Sequence, residues 1–281
     1  MNITRFVSRL TPKELKQTSN DPTRLKLSRI FLNIGKLIDF MYKNVISAVF
    51  TERINRFIGS VKVDGIVETV HIKNTGRCKE LLLPDSTVYL SKSDNPKRKT
   101  KYDLIAVEKK LTNGKVLLIN MDSQAPNVAV GKWLNEENLF GKDTKIRAEV
   151  QKGNSRFDFY AENGCRRAFI EVKGVTLEND GIAMFPDAPT ERGVKHIKEL
   201  AECVKEGYEA YIIFVIQMKG ISLFMPNTNM HKEFAEALET ANECGVKILA
   251  FDCIITPDTM AIDKPIPVSI AAITEISSTK L

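Results

Sequence analysis

The stretch Ser155–Gly174, SRFDFYAENGCRRAFIEVKG, decides how this chain is read. Two apolar runs flank the pair Asn163-Gly164, a strong short-range signal for a hairpin turn. Each run is interrupted by charge: Asp158 in the first, Glu171 and Lys173 in the second. Side chains alternate faces along a strand, so Phe169, Glu171 and Lys173 share one face and Ile170 and Val172 the other, with Phe157 and Phe159 opposite Asp158. Folding at the turn then brings Asp158 towards Glu171 and Lys173 on one face.

Around the hairpin the pattern is mixed α/β. VAVGKWLNEENLF (128–140) reads as a helix and TKIRAEVQ (144–151) as a strand leading into the hairpin. ERGVKHIKELAECVKEG (191–207) is an amphipathic helix with Val194, Ile197, Leu200, Ala201 and Val204 on one face, stopped at Gly207. AYIIFVIQ (210–217) is apolar enough for a buried strand, and a helix (231–244) and a strand (246–254) follow. The order through the hairpin is α-β-β-β-α-β.

Two carboxylates with a lysine beside them are the parts of a hard-cation hydrolytic site. Oxygens of Asp158 and Glu171 suit Mg²⁺ or Mn²⁺, which keeps several waters, and Lys173 orients a water attacking a phosphodiester as its ammonium or deprotonates it as its neutral amine. Lysine suits the task because burial lowers its pKa. Glu149 and Glu136 are candidates for a further carboxylate. Asp158, Glu171 and Lys173 are the candidate catalytic set, the first two also the metal ligands.

Basic residues cluster in three further places. In the helix at 191–207, Thr190 is a natural N-cap, and Arg192, Lys195 and His196 share a face at i, i+3 and i+4, suited to phosphates. Arg77 follows a glycine turn in HIKNTGRCKELL, an arrangement that offers backbone N–H groups and a guanidinium to an anion. SKSDNPKRKTKYD (91–103) packs Lys92, Lys97, Arg98, Lys99 and Lys101 around an Asn-Pro turn, opposed by Asp94, and reads as a nucleic-acid contact or as a solvated loop. Only Tyr89 and Tyr102 offer nearby aromatic platforms, which disfavours single-strand binding.

The first half, from about Ile54 to Asn120, reads as five short strands: RFIGSVKV, IVETVHI, TVYLSK, YDLIAVEKK and KVLLIN. With no long helix among them they imply a small curled barrel of OB type. Residues 1–40 differ, with eight Lys+Arg against three Asp+Glu, a surplus of +5 in a chain of net charge +6. The global charge is therefore weak support for nucleic-acid binding, and local patches must carry it. RIFLNIGKLIDF within that segment reads as a basic amphipathic helix, either interfacial or part of a loose extension, and Met41 offers an internal start. The division expected is 1–40 extension, 41–122 barrel and 123–281 α/β domain.

No apolar run in the 281 residues is long enough to span a bilayer. Five scattered cysteines and three histidines fall at no zinc-ligand spacing and read as free thiols of a reducing cytoplasm. A homo-oligomer is left open.

NTGRCKELL, LSKSDNPKRKTKYD, SRFDFYAENG, FIEVKGVTLENDGIAMFPDAPTERGVKHIKEL and CGVKILAF together resemble the sugar fermentation stimulation (SfsA) family, from about Tyr42 to Val268. The element order around the hairpin also resembles the PD-(D/E)xK nuclease superfamily. The resemblance implies an N-terminal OB fold, a C-terminal PD-(D/E)xK-like domain, DNA binding and a regulatory role in sugar metabolism. The nuclease-type positions carry over as Asp158, Glu171 and Lys173. Two readings follow: a DNA-binding regulator with a nuclease-like metal site, or an active Mg²⁺-dependent deoxyribonuclease.

Overall fold

A computed structural model describes residues 41–74 and 76–270. The basic amphipathic segment expected within residues 1–40 lies outside them. The first part is built from β1 (Val45–Arg53), β2 (Ile58–Val63), β3 (Ile66–Ile72), β4 (Thr87–Lys92), β5 (Tyr102–Lys110) and β6 (Val116–Asn120). Their order is β3-β2-β1-β4-β5-β6, and β3 also pairs in parallel with β5, Val70–Ile72 against Tyr102–Leu104. That last pairing closes β1–β5 into a five-stranded barrel of OB connectivity, which leaves no open edge within it. Alternation fills the interior: Phe50, Val61, Val70, Val88 and Leu90 are each at most 1% exposed. Asp64 and Gly65 both take positive φ between β2 and β3, as a tight hairpin turn requires.

The strand count differs from the sequence reading. That reading lacks β1, yet β1 pairs with both β2 and β4, so the barrel cannot close without it. β6, assigned to the barrel by its apolar run, pairs only with β5 and lies outside the closure.

The second part holds α1 (Ala125–Glu136), β7 (Lys145–Lys152), β8 (Ser155–Asn163), β9 (Arg166–Val175), β10 (Leu177–Asn179), β11 (Ile182–Phe185), α2 (Glu191–Lys205), β12 (Glu209–Ile216), β13 (Leu223–Pro226), α3 (Lys232–Glu243), β14 (Lys247–Thr256) and β15 (Thr259–Pro265). Helix α1 begins three residues earlier than its apolar periodicity indicates, because Pro126 is tolerated in a first turn. The main sheet runs β15-β14-β12-β9-β8-β7, parallel at its centre and antiparallel at both flanks. The short strands β10, β11 and β13 form a separate small sheet that the sequence did not announce.

Helices cover both faces of the main sheet. Ala129, Val130 and Leu134 of α1 pack with Phe159, Ile170, Val172 and Ile213 in one cluster. Ile197 and Leu200 of α2 and Phe234 and Leu238 of α3 pack with Phe157, Phe169, Ile212 and Phe214 in another, which continues into the barrel core. Buried polar contacts join the two parts. Gln217 Nε2 donates to the Asn120 carbonyl at 3.0 Å and the Asp122 carbonyl at 3.1 Å, Asn120 Nδ2 donates to the Tyr42 hydroxyl at 3.0 Å, and Lys109 donates to Glu178 Oε2 at 2.6 Å. With every such group satisfied, the barrel and the sheet are held in one orientation.

Candidate functional site

The β7–β8 ladder keeps a constant register across Asp158, with Ala148 opposite Phe159 and Val150 opposite Phe157. At the level of Asp158 the facing residue, Glu149, takes φ +57°, a conformation a non-glycine residue rarely adopts within a strand. The β8–β9 ladder runs from Asn163 only as far as Phe159. Beyond it the Asp158 carboxylate, through Oδ2, accepts the Val172 backbone N–H at 2.7 Å. The strand is therefore re-aimed at Asp158, and Phe157 and Phe159 enter different cores instead of sharing a face. This corrects the simple alternation read from the sequence: a local irregularity adds a half-twist that period two does not contain.

Glu171 is 3% exposed on the face covered by α2. Its Oε1 receives two donors, Lys173 Nζ at 2.5 Å and His196 Nδ1 at 2.5 Å, while its Oε2 is buried with no hydrogen-bond partner. Asp158 Oδ1 accepts from Asn127 Nδ2 of α1 at 2.7 Å. Burial, then the neighbouring Glu171 carboxylate, push the Asp158 carboxyl above its ordinary range. Burial also pushes Glu171 up, but the His196 hydrogen bond and the Lys173 charge outweigh it and hold Glu171 below its ordinary value. Two carboxylates with oppositely shifted pKa values form one electrostatic unit.

The other expected residues divide. Arg192 and Lys195 are exposed on α2, but His196 is buried at 5% exposure and faces Glu171, so the three do not share one exposed face. Arg192 Nε donates to His196 Nε2 at 3.4 Å and Lys195 Nζ to the Asn154 carbonyl at 3.0 Å. In the basic loop Lys97 and Lys99 are exposed, and Lys101 is exposed beside Glu68 at 3.4 Å. Arg98 is spent internally, gripping Asp103 with two hydrogen bonds of 2.8 and 2.6 Å. Arg77 is exposed, and its backbone N–H donates to Asp187 at 3.2 Å. Glu149 pairs with Arg156 at 2.7 Å and Glu136 lies 4.0 Å from Lys132. Among the described residues no group of three or more His, Cys, Asp and Glu side chains is gathered as a ligand set.

A cleft of about 1050 Å³ opens between the barrel and the α/β part. One wall carries Arg53, Arg56, Arg77 and Lys79; the other carries Gly174, which follows Lys173, together with Asp187, Thr190 at the start of α2, and Gln217. Arg53 builds the first wall. Its guanidinium donates to the carbonyls of Asn55, Arg56, Asn74, Gly76 and Arg77, joining two loops. All five of its N–H donors are used. Asn127, Arg53 and Gln217 escaped the sequence reading; the start Ala125-Pro126-Asn127 of α1 is the one local signal that pointed near any of them.

No helix among the described residues is long and apolar enough to cross a membrane. Residues 51–119 match the model of the SfsA N-terminal OB domain, and residues 124–259 match that of the sugar fermentation stimulation protein RE domain. A sugar fermentation stimulation protein homolog of Ruminiclostridium cellulolyticum is 55% identical over 227 residues, covering 81% of this chain and 98% of the relative. One of Clostridium beijerinckii is 54% identical over 221 residues, covering 79% and 96%. Among solved structures, Pyrococcus furiosus SfsA in complex with Ca²⁺ superposes with a TM-score of 0.72 at 28% identity, over 82% of this chain and 98% of that one. An OB barrel joined to a mixed α/β domain, with both domain models matched and relatives covered almost end to end, makes this chain a member of the sugar fermentation stimulation protein family.

Proposed function

We propose that this chain binds DNA along the basic cleft and holds a divalent cation, Mg²⁺ or Mn²⁺, at Asp158 and Glu171 in a PD-(D/E)xK-like site. The observation that carries the reading is the orphaned Glu171 Oε2, buried without a partner beside an Asp158 carboxyl already driven up by burial and by Glu171. A buried acceptor without a donor, next to a second carboxylate, is the donor set that a hard cation satisfies. Two carboxylates suffice for Mg²⁺, which completes its shell with water. The Ca²⁺ held by the Pyrococcus relative supports a divalent cation in this fold.

DNA is supported by Arg56, Arg77 and Lys79 on the cleft wall that Arg53 builds, against which Asp187 is the single carboxylate of the lining, and by exposed Lys97 and Lys99. Such contacts engage phosphates without reading sequence. The family name points to regulation of sugar metabolism as the setting.

Cleavage of the bound DNA is a second reading, favoured by Lys173. Its side chain is only 15% exposed and its ammonium sits 2.5 Å from Glu171, where it can orient an attacking water by donating a hydrogen bond to it. The bound cation would supply Lewis acidity towards a phosphodiester oxygen. Asn127 and the Val172 N–H keep Asp158 aimed.

One assay tests both readings: the full chain with single- and double-stranded DNA in Mg²⁺, Mn²⁺ or EDTA, beside Asp158→Ala and Lys173→Ala. Salt-dependent binding is expected, and its absence sinks the DNA reading. Cation-dependent cleavage lost in both variants with binding retained makes the protein a nuclease; binding without cleavage on every substrate leaves it a DNA-binding protein.

A further inference from the structure

His196 sits in the second turn of α2, with 6% of its side chain exposed and the Phe157 ring packed edge-on at 6.2 Å. That burial removes it from any phosphate-contacting face. Arg192 Nε, 3.4 Å from His196 Nε2, can only donate, so Nε2 carries the lone pair and the ring proton lies on Nδ1. Nδ1 in turn points at Glu171 Oε1 at 2.5 Å, the oxygen already held by Lys173. The two donors thus converge on one carboxylate oxygen, and the other, Oε2, has none.

We infer that His196 is a positioning residue for the cation site: its Nδ1–H, together with the Lys173 ammonium, pins Glu171 Oε1 and leaves Oε2 as the oxygen presented to a divalent cation. The inference rests on the proposed cation site and adds to it the device that orients its more buried ligand. With one oxygen held by two donors, the carboxylate's rotamer is set before the cation arrives. Partners of this kind commonly change metal affinity 10- to 100-fold when removed.

The test uses the full chain and Mn²⁺ alone, with binding read by calorimetry, folding by thermal melting, and the imidazole nitrogens by ¹⁵N NMR. Wild type should show His196 protonated at Nδ1 and bare at Nε2. His196→Leu should weaken Mn²⁺ binding about 10- to 100-fold, and His196→Asn, whose amide N–H stands at the same place along the side chain as Nδ1, should recover most of that loss. Asp158→Asn serves as the control for the site itself. If Asp158→Asn loses Mn²⁺ while a folded His196→Leu binds it as wild type does, the role of His196 is overturned and the cation site stands. If wild type takes up no Mn²⁺, the site and the role fall together. Should His196→Leu not fold, a wild-type spectrum with the proton on Nε2 still overturns the inference.

Discussion

The Asp158 carboxylate accepts the backbone N–H of Val172 at 2.7 Å, a donor that a regular ladder would have given to main chain. A side chain has replaced a ladder bond, and this holds a buried carboxyl next to Glu171 at a cost in stability. An acid whose folded pKa is raised destabilises the fold above its unfolded value and regains stability as pH falls. Asp158→Asn, which keeps an acceptor for Val172, should therefore raise the melting temperature in EDTA at pH 7 by about 2–4 °C for about 1 kcal/mol relieved. Saturating Mg²⁺ should raise the wild-type melting temperature and leave that of the variant unmoved. A lower melting temperature for the variant in EDTA would refute the frustration.

Gly174 follows Lys173, and its lack of a side chain is structural. An added Cβ would lie 2.4 Å from Gln217 Oε1 and 2.8 Å from Pro126 Cγ. Gly174→Ala must push Gln217 away from Asn120 and Asp122, so we expect a loss of about 1–3 kcal/mol, read from the urea midpoint. Gly114→Ala, with no atom within 4 Å but φ +77°, should cost only its backbone strain.

The basic loop separates charge for binding from charge for folding. Changing Lys97 and Lys99 to alanine should weaken DNA binding and shrink the slope of log K against log salt by about 0.9 for each phosphate no longer neutralised, with no change in melting. Arg98→Ala leaves Asp103 with His71 alone, at 3.0 Å, and should lower stability more than affinity. Equal effects of the two substitutions on the salt slope would contradict this division.

Arg53→Lys keeps the charge and loses the five-carbonyl grip. A lysine has three donors and no planar fork, so the loops at 55–56 and 74–77 should loosen. Faster hydrogen exchange at the amides of Gly76 and Arg77 and a weaker DNA complex are expected; unchanged exchange would show that the loops hold themselves.

Glu209 is held at about 2 by the Arg166 hydrogen bonds, against partial burial and with help from Lys247. A depressed carboxyl contributes stability that is fully present above its ordinary value and is lost as pH falls through the folded value, here between about 4.5 and about 2. Glu209→Gln should be the less stable protein at pH 7, and its urea midpoint should converge on that of wild type as pH approaches 2. A gap independent of pH would assign the effect to packing.

Much of this was written locally. Alternation and the Asn163-Gly164 turn dictate the hairpin, and the barrel strands after β1 announce themselves by period two and by glycine turns such as Asp64-Gly65. The spacing of Asp158, Glu171 and Lys173 brings two carboxylates and a lysine to one place even though the strand twists at Asp158, because antiparallel neighbours stay adjacent through an irregularity.

What the sequence by itself determined about this protein is the β8–β9 hairpin, the helices and longer strands around it, the barrel strands after β1 and the chemistry of its charged positions, since these depend on contacts a few residues apart. Tertiary structure alone decided that β1 and the parallel β3–β5 pairing close the barrel, that Arg98 serves Asp103, that Arg53 ties two loops, and that His196 turns inward to Glu171. Each of those depends on a partner distant in sequence or on burial against another element, and a basic side chain looks the same in sequence whether it meets solvent or a buried carboxylate.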